Sequence, residues 1–193
     1  DIDYVYQWGL YKKVDAVKMM HPESVKKHIY AKPEKLNLDV TPEVNQKIKS
    51  IFKFSFNADS QKRYMLYLPI SSSGYEKARK IEFDIINKLI EVANEKGLQF
   101  IIKVKSGADS HIYHKLYQNK AIIIDDNIPA EILISDVYNS IIISAASSAL
   151  LHHVNNNKYL WIFPLLNLDF NLRPFNDNIK LLWSYTELLE CLN

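Results

Sequence analysis

Cysteine is nearly absent from this 193-residue chain, which has Cys191 alone. A single thiol excludes an intrachain disulfide framework and any zinc site built from cysteine pairs, and it fits a reducing compartment. Glycine is scarce too, with four residues in all. The glycine-rich phosphate loops go with it: there is no Gly-x-x-x-x-Gly-Lys-Ser/Thr, no Gly-x-Gly-x-x-Gly and no Gly-x-Ser-x-Gly. ATPase, dehydrogenase and serine-hydrolase readings are correspondingly weak. No apolar run approaches the ~18–20 residues that span a bilayer, and no secretory leader opens the chain at Asp1. The expectation is therefore a soluble cytoplasmic protein, or one attached to the inner face of the cytoplasmic membrane. A one-sided charge is also missing, since 24 Lys and Arg against 22 Asp and Glu leave +2. That balance argues against a dedicated nucleic-acid binder.

Hydrophobic residues make up 48% of the chain, enough to build a sizeable core. The opening Asp1-Ile2-Asp3-Tyr4, without a methionine, reads as a chain entered midway. We therefore expect residues 1–60 to be an N-terminal remnant with a connector helix, and 61–193 to be one α/β domain. Within the first part, Ile2 to Leu10 and Val14 to Met20 suggest a strand followed by a turn at His21-Pro22-Glu23, where His21 is either a ligand-contacting residue at a strand end or, more plainly, an ordinary surface histidine. Lys26 to Lys35, basic and carrying Pro33, reads as a connector. Thr41 and Pro42 then stand in the order of an N-cap and a first helical residue, for a helix reaching about Phe54.

The second part alternates strands with helices. Tyr64 to Ile70 reads as a strand running into Ser71-Ser72-Ser73-Gly74. A long helix follows from about Tyr75 to Lys96, with Ala78, Ile81, Ile85, Ile86, Leu89, Ile90 and Ala93 forming one apolar stripe and Gly97 closing it. Phe100 to Val104 is the next strand, His111 to Tyr117 a short helix, Ala121 to Ile124 a strand ending in Asp125-Asp126, and Pro129 the start of a short helix. Ile141 to Ser144 reads as a buried strand. After it come small residues and then Ala149, Leu150 and Leu151, which begin a helical pattern and place Ser147 and Ser148 at a helix N-terminus. Tyr159 to Phe163 is a further strand stopping at Pro164. The tail, with Leu181 to Trp183 and a helix from Thr186 to Leu192, packs back. Such alternation predicts a Rossmann-like α/β fold: a parallel sheet with helices on both faces.

Ligands of open parallel sheets bind beyond the carboxyl ends of the strands, near a switch point. That rule gathers Ser72, Ser73, Gly74, Lys103, Lys105, Glu131, Ser147 and Ser148 at one rim. Serine turns that open helices, together with lysines at a strand end, suit an anionic group such as a nucleotide phosphate. The plainer role of Ser147 and Ser148 is to cap a helix. Glu131, in a first helical turn, is placed either to accept hydrogen bonds from a ribose or base or simply to complement the helix dipole. Asp125 and Asp126, adjacent in a loop, read as solvated carboxylates rather than metal ligands. His152 and His153 fall on different helix faces, so they form no joint metal site.

The order Phe100-Ile101-Ile102-Lys103, then Ile124-Asp125-Asp126-Asn127-Ile128-Pro129-Ala130-Glu131, then Ser144-Ala145-Ala146-Ser147-Ser148-Ala149-Leu150 resembles the C-terminal half of bacterial GT-B sialyltransferases. The similarity is to the glycosyltransferase family 52 lipooligosaccharide sialyltransferases and the bacterial polysialyltransferases, and it covers roughly Tyr64 to Leu165. It implies one half of a GT-B fold that holds CMP-sialic acid, with Ser147 and Ser148 on the CMP phosphate. It further implies transfer to a bacterial surface glycan, such as lipooligosaccharide or capsule, without a metal or other cofactor. The catalytic base of such enzymes belongs to the other half of the fold. Its partners would be a nucleotide-sugar donor and a glycan acceptor, and self-association or contact with the inner membrane would be compatible with the role. In one place the chain departs from the pattern: Lys103-Val104-Lys105-Ser106 stands where relatives carry Lys-Pro-His-Pro. Either Lys105 takes over charge neutralisation of the phosphate, or donor binding is altered or lost. Two further readings stay open: a transferase of the CDP-glycerol or teichoic-acid type, and a non-catalytic Rossmann-like module whose serines are caps alone.

Overall fold

The structure, a computed structural model, describes residues 5–8, 28–31, 42–54, 56, 58–70, 76–105, 110–145, 147–151, 156–166 and 179–192. Two short strands, β1 (Val5–Trp8) and β2 (His28–Ala31), pair in parallel as a two-stranded sheet. The stretch expected to be a plain connector, Lys26 to Lys35, thus contains a strand. His28, Ile29 and Tyr30 are a β-favouring run that pairing with β1 satisfies.

Helix α1 (Pro42–Ile51) begins at its proline as expected, where the missing N–H costs nothing. The α/β unit follows as β3 (Tyr64–Leu68), α2 (Glu76–Glu95), β4 (Gln99–Lys103), α3 (Ser110–Tyr117), β5 (Ile122–Ile124), α4 (Ala130–Asp136), β6 (Ile141–Ser144), β7 (Lys158–Trp161), β8 (Ile179–Leu181) and α5 (Tyr185–Leu192). All six strands from β3 to β8 are parallel and lie in the order β5-β4-β3-β6-β7-β8. Counted within the sheet this is 3-2-1-4-5-6, the order of doubly wound dinucleotide-binding folds. The expected α/β Rossmann-like architecture is therefore present.

The central strands are buried along their whole length, Tyr64 to Leu68 and Ile141 to Ser144 without exception. Sheets covered on both faces produce such runs of apolar residues rather than an alternation. Helix α2 lays Ala78, Ile85, Ile86, Leu89, Ile90 and Ala93 against the core. It ends at Gly97, whose φ of +64° permits the left-handed turn. There the Leu98 N–H bonds Ala93 O at 2.8 Å and the Gly97 N–H bonds Asn94 O at 3.1 Å, satisfying two terminal carbonyls.

At the amino ends of the strands, side chains set the pairing. Ser140 Oγ accepts the Tyr64 N–H at 2.9 Å and donates to Tyr138 O at 2.8 Å, tying β3 to β6. Asn157 accepts the Ser140 N–H at 2.9 Å and donates to Val137 O at 3.0 Å. Helix α1 rests on α4, where Asn45 Nδ2 donates to Asp136 Oδ1 at 2.9 Å and Lys49 pairs with Asp136 at 2.5 Å.

Three further expectations need correction. The helix begun by Ala149 is a four-residue 3-10 turn, Ser148–Leu151. The strand expected from Tyr159 to Phe163 ends at Trp161, because Phe163–Leu166 turns as a second 3-10 segment that Pro164 favours. The tail is not merely packed back: Ile179–Leu181 is the sixth strand of the sheet. Among the described residues, no helix is long and apolar enough to cross a membrane.

Candidate functional site

The chain leaves β3 for β4 on one side and returns on the other through β6, so the switch point lies between the carboxyl ends of β3 and β6. Leu68 of β3 stands beside Ser144 of β6, and Ser144 beside Trp161 of β7. Pairing continues one residue past β6 and β7: the Ala145 N–H bonds Leu68 O at 3.0 Å, and the Ile162 N–H bonds Ser144 O at 2.9 Å. The rim beside the switch point is therefore a fixed edge.

Ser144 is buried, and its Oγ accepts the Ser147 N–H at 2.7 Å, folding the chain back immediately after β6. Ser147 Oγ in turn accepts the Ala149 N–H at 3.2 Å, capping the 3-10 turn. A single turn carries little macrodipole, so the attraction expected for a phosphate at a long helix is much reduced. Among the described residues no acceptor takes the hydroxyl proton of the partly buried Ser147, which stands beside the switch point. Ser148 opens the turn.

Lys103 ends β4 and is buried. Its ammonium donates to Val104 O at 2.8 Å and to Asp126 O at 2.7 Å, joining the loops that follow β4 and β5. Burial lowers its pKa, opposed by the nearby carboxylates of Asp126 and Asp125. Tethering the rim thus occupies two of its three donors. Lys105, two residues on, is exposed. Glu131 sits in the first turn of α4, half-buried. Asp125 engages His114, with Nε2 to Oδ2 at 3.1 Å. Among the described residues, no group of three or more His, Cys, Asp or Glu could hold a metal. Ser72, Ser73 and Gly74 lie outside the described residues, as do His21, His152 and His153.

One polar group near this rim did not figure among the expected site residues. Glu82 of α2 is completely buried beneath the end of β3. Its Oε1 accepts the Tyr67 hydroxyl at 2.9 Å and the Ile70 N–H at 2.8 Å, and its Oε2 accepts the Tyr113 hydroxyl at 3.1 Å. Burial pushes its pKa up to about 7, against the opposing pull of these three donors and of Arg79. Tyr67 and Tyr113 are held well above their ordinary range, first by burial and then by Glu82, and Tyr117 is raised to about 12 for the same reasons. Phe83 closes the cluster, edge-on to Tyr113 at 5.8 Å. The sequence carried a signal: Glu82 interrupts the apolar stripe four residues after Ala78 and four before Ile86, where only a fully hydrogen-bonded carboxyl is tolerated.

Comparison of the chain with protein-family models, with curated proteins and with solved structures returns no match.

Proposed function

We propose that this chain is the nucleotide-sugar-binding half of a sialyltransferase-like glycosyltransferase, which uses CMP-sialic acid as donor and a bacterial surface glycan as acceptor. The observation that carries the reading is the strand order, with a switch point between β3 and β6 flanked by Ser144 and Ser147. Folds with this order bind nucleotides at that crevice. The segments around Lys103, Pro129 to Glu131 and Ser147 to Ser148, which resemble such transferases, lie on three of the loops leaving its rim. In this reading the Ser147 hydroxyl donates to the phosphate, and the exposed Lys105 supplies the charge that the tethered Lys103 does not.

The test is a titration of CMP followed by amide resonances. Saturable shifts at Ile70, Ala145 and Ser147 are expected, and unchanged spectra at millimolar nucleotide would reject the reading. Turnover of CMP-sialic acid against CDP-glycerol by the full-length protein separates it from a teichoic-acid-type transferase. The non-catalytic module is favoured by one observation, the cap that Ser147 provides to Ala149. If that cap is its whole role, Ser147→Ala loses stability while CMP binding is unaltered.

A further inference from the structure

We propose that the groove beside α2 and β8 is a binding subsite for an uncharged pyranose ring, with Trp183 as its stacking platform. The groove, of about 440 Å³, is lined by the apolar Ile81, Ile85, Pro164 and Leu165, by the aromatic Trp183 and Tyr185, and by the polar Asp84 and Ser184. It opens at the carboxyl ends of the strands, because the Leu182 N–H bonds Trp161 O at 2.9 Å and Trp183 follows at once.

Two features separate this groove from a chance apolar patch. The first is that Trp183 is 63% exposed although its backbone is fixed. Its N–H donates to Glu187 Oε2 at 2.7 Å, and the same carboxylate and Ser184 form a reciprocal cap on α5: the Glu187 N–H reaches Ser184 Oγ at 3.2 Å, and the Ser184 N–H reaches Glu187 Oε2 at 3.3 Å. An indole held out on a rigid capping box forgoes burial that would otherwise stabilise the fold.

The second feature is the chemistry around it. Asp84 has no ion-pair partner among the described residues. Lys88, one turn along α2 from Asp84, is paired with Glu91 at 2.7 Å. The Asp84 carboxylate disfavours phosphates and carboxylates in the groove and can accept hydroxyl protons, while the apolar lining suits the C–H face of a sugar ring. A volume of this size holds a small ligand rather than a protein helix. As the acceptor subsite of a transferase, this assignment rests on the function proposed above.

The experiment is saturation-transfer NMR on the whole chain with methyl β-galactopyranoside, methyl β-glucopyranoside and sialic acid, with CMP shifts recorded on the same samples. Saturable transfer to the ring protons of a neutral pyranoside, at dissociation constants on the order of millimolar, is expected. Sialic acid should give none. Trp183→Ala should abolish the signal, Trp183→Phe should retain it at several-fold weaker affinity, and Asp84→Asn should weaken it. No saturable pyranoside signal, or one unchanged in Trp183→Ala, overturns the subsite. A Trp183→Ala protein that instead changes its sedimentation coefficient from oligomer to monomer also overturns it, assigning the groove to contact between copies. Pyranoside binding without CMP binding overturns the acceptor role, whereas CMP binding without pyranoside binding overturns the subsite and leaves the nucleotide reading standing.

Discussion

The Tyr67 hydroxyl donates to Glu82 at 2.9 Å from inside the central strand of the sheet, with both side chains wholly removed from solvent. The pair joins the strand and the helix that flank the switch point, and it makes stability depend on one proton. The folded protein holds the Glu82 proton up to about pH 7, whereas an unfolded glutamate releases it near 4.5. Between those values the folded state binds more protons, so stability declines as pH rises through the window, by up to about 3 kcal/mol, and is flat in this group above it. Urea midpoints measured from pH 4.5 to 8 should show the decline, and Glu82→Gln should remove it. A Glu82→Gln profile running parallel to the parent would contradict the assignment.

Replacing Glu82 with alanine is a different experiment. It strands the Tyr67 and Tyr113 hydroxyls and the Ile70 N–H in the core without an acceptor. A loss of at least about 3 kcal/mol is expected, far more than for the glutamine variant. Chemical denaturation of the two variants side by side gives the comparison.

Gly97 tests the end of α2. A methyl group there would touch nothing within 4 Å, so the cost of Gly97→Ala is purely that of its φ of +64°. About 1–2 kcal/mol should be lost, and Gly97→Asn should lose less because asparagine tolerates this conformation. Equal stability of the alanine and glycine proteins would show that the helix ends differently.

Lys103→Met should destabilise by about 1–3 kcal/mol, since Val104 O and Asp126 O both lose a charged donor at a buried position. Lys105→Met, at an exposed position, should leave the thermal midpoint unchanged and weaken CMP binding. If the two effects are exchanged, the roles given to the lysines are reversed.

Asp136→Asn removes the ion pair with Lys49, whose side chains are only 17% and 10% exposed, where α1 meets α4. The contact is screened too little to be an ordinary surface pair, and a cost above about 1 kcal/mol is expected. Hydrogen exchange should localise the loss to residues 42–51.

Much of the fold was legible in one dimension because its elements carry their own signals. The apolar period of Ala78 to Ala93 dictates a helix with one buried face, Gly97 marks its end, and the all-apolar runs at Tyr64 and Ile141 suit only strands covered on both sides. The strand Ile179–Leu181 escaped because three residues at a sheet edge carry too short a pattern, and β2 escaped because its basic, proline-bearing surroundings mask it. The turn after Ser144 was misread for a physical reason. Ala149 and Leu150 are buried in the core, but the Ser144 hydroxyl draws the Ser147 N–H back and tightens the segment into a 3-10 turn.

The candidate site divides in the same way. Residue order alone determined that serines and lysines meet at one rim, since in a parallel sheet every loop after a strand leaves from the same edge. Only the folded arrangement decided which side chains are committed and which remain available. Lys103 is spent on two carbonyls, Ser147 accepts a capping bond through its oxygen alone, and Glu82, outwardly one more charge in a helix, becomes the buried acid around which two tyrosines close. Hydrogen-bond partners distant in the chain settle such commitments: Lys103 reaches Asp126, and Glu82 reaches Tyr113. Local pattern holds no record of distances that exist only after the sheet has formed.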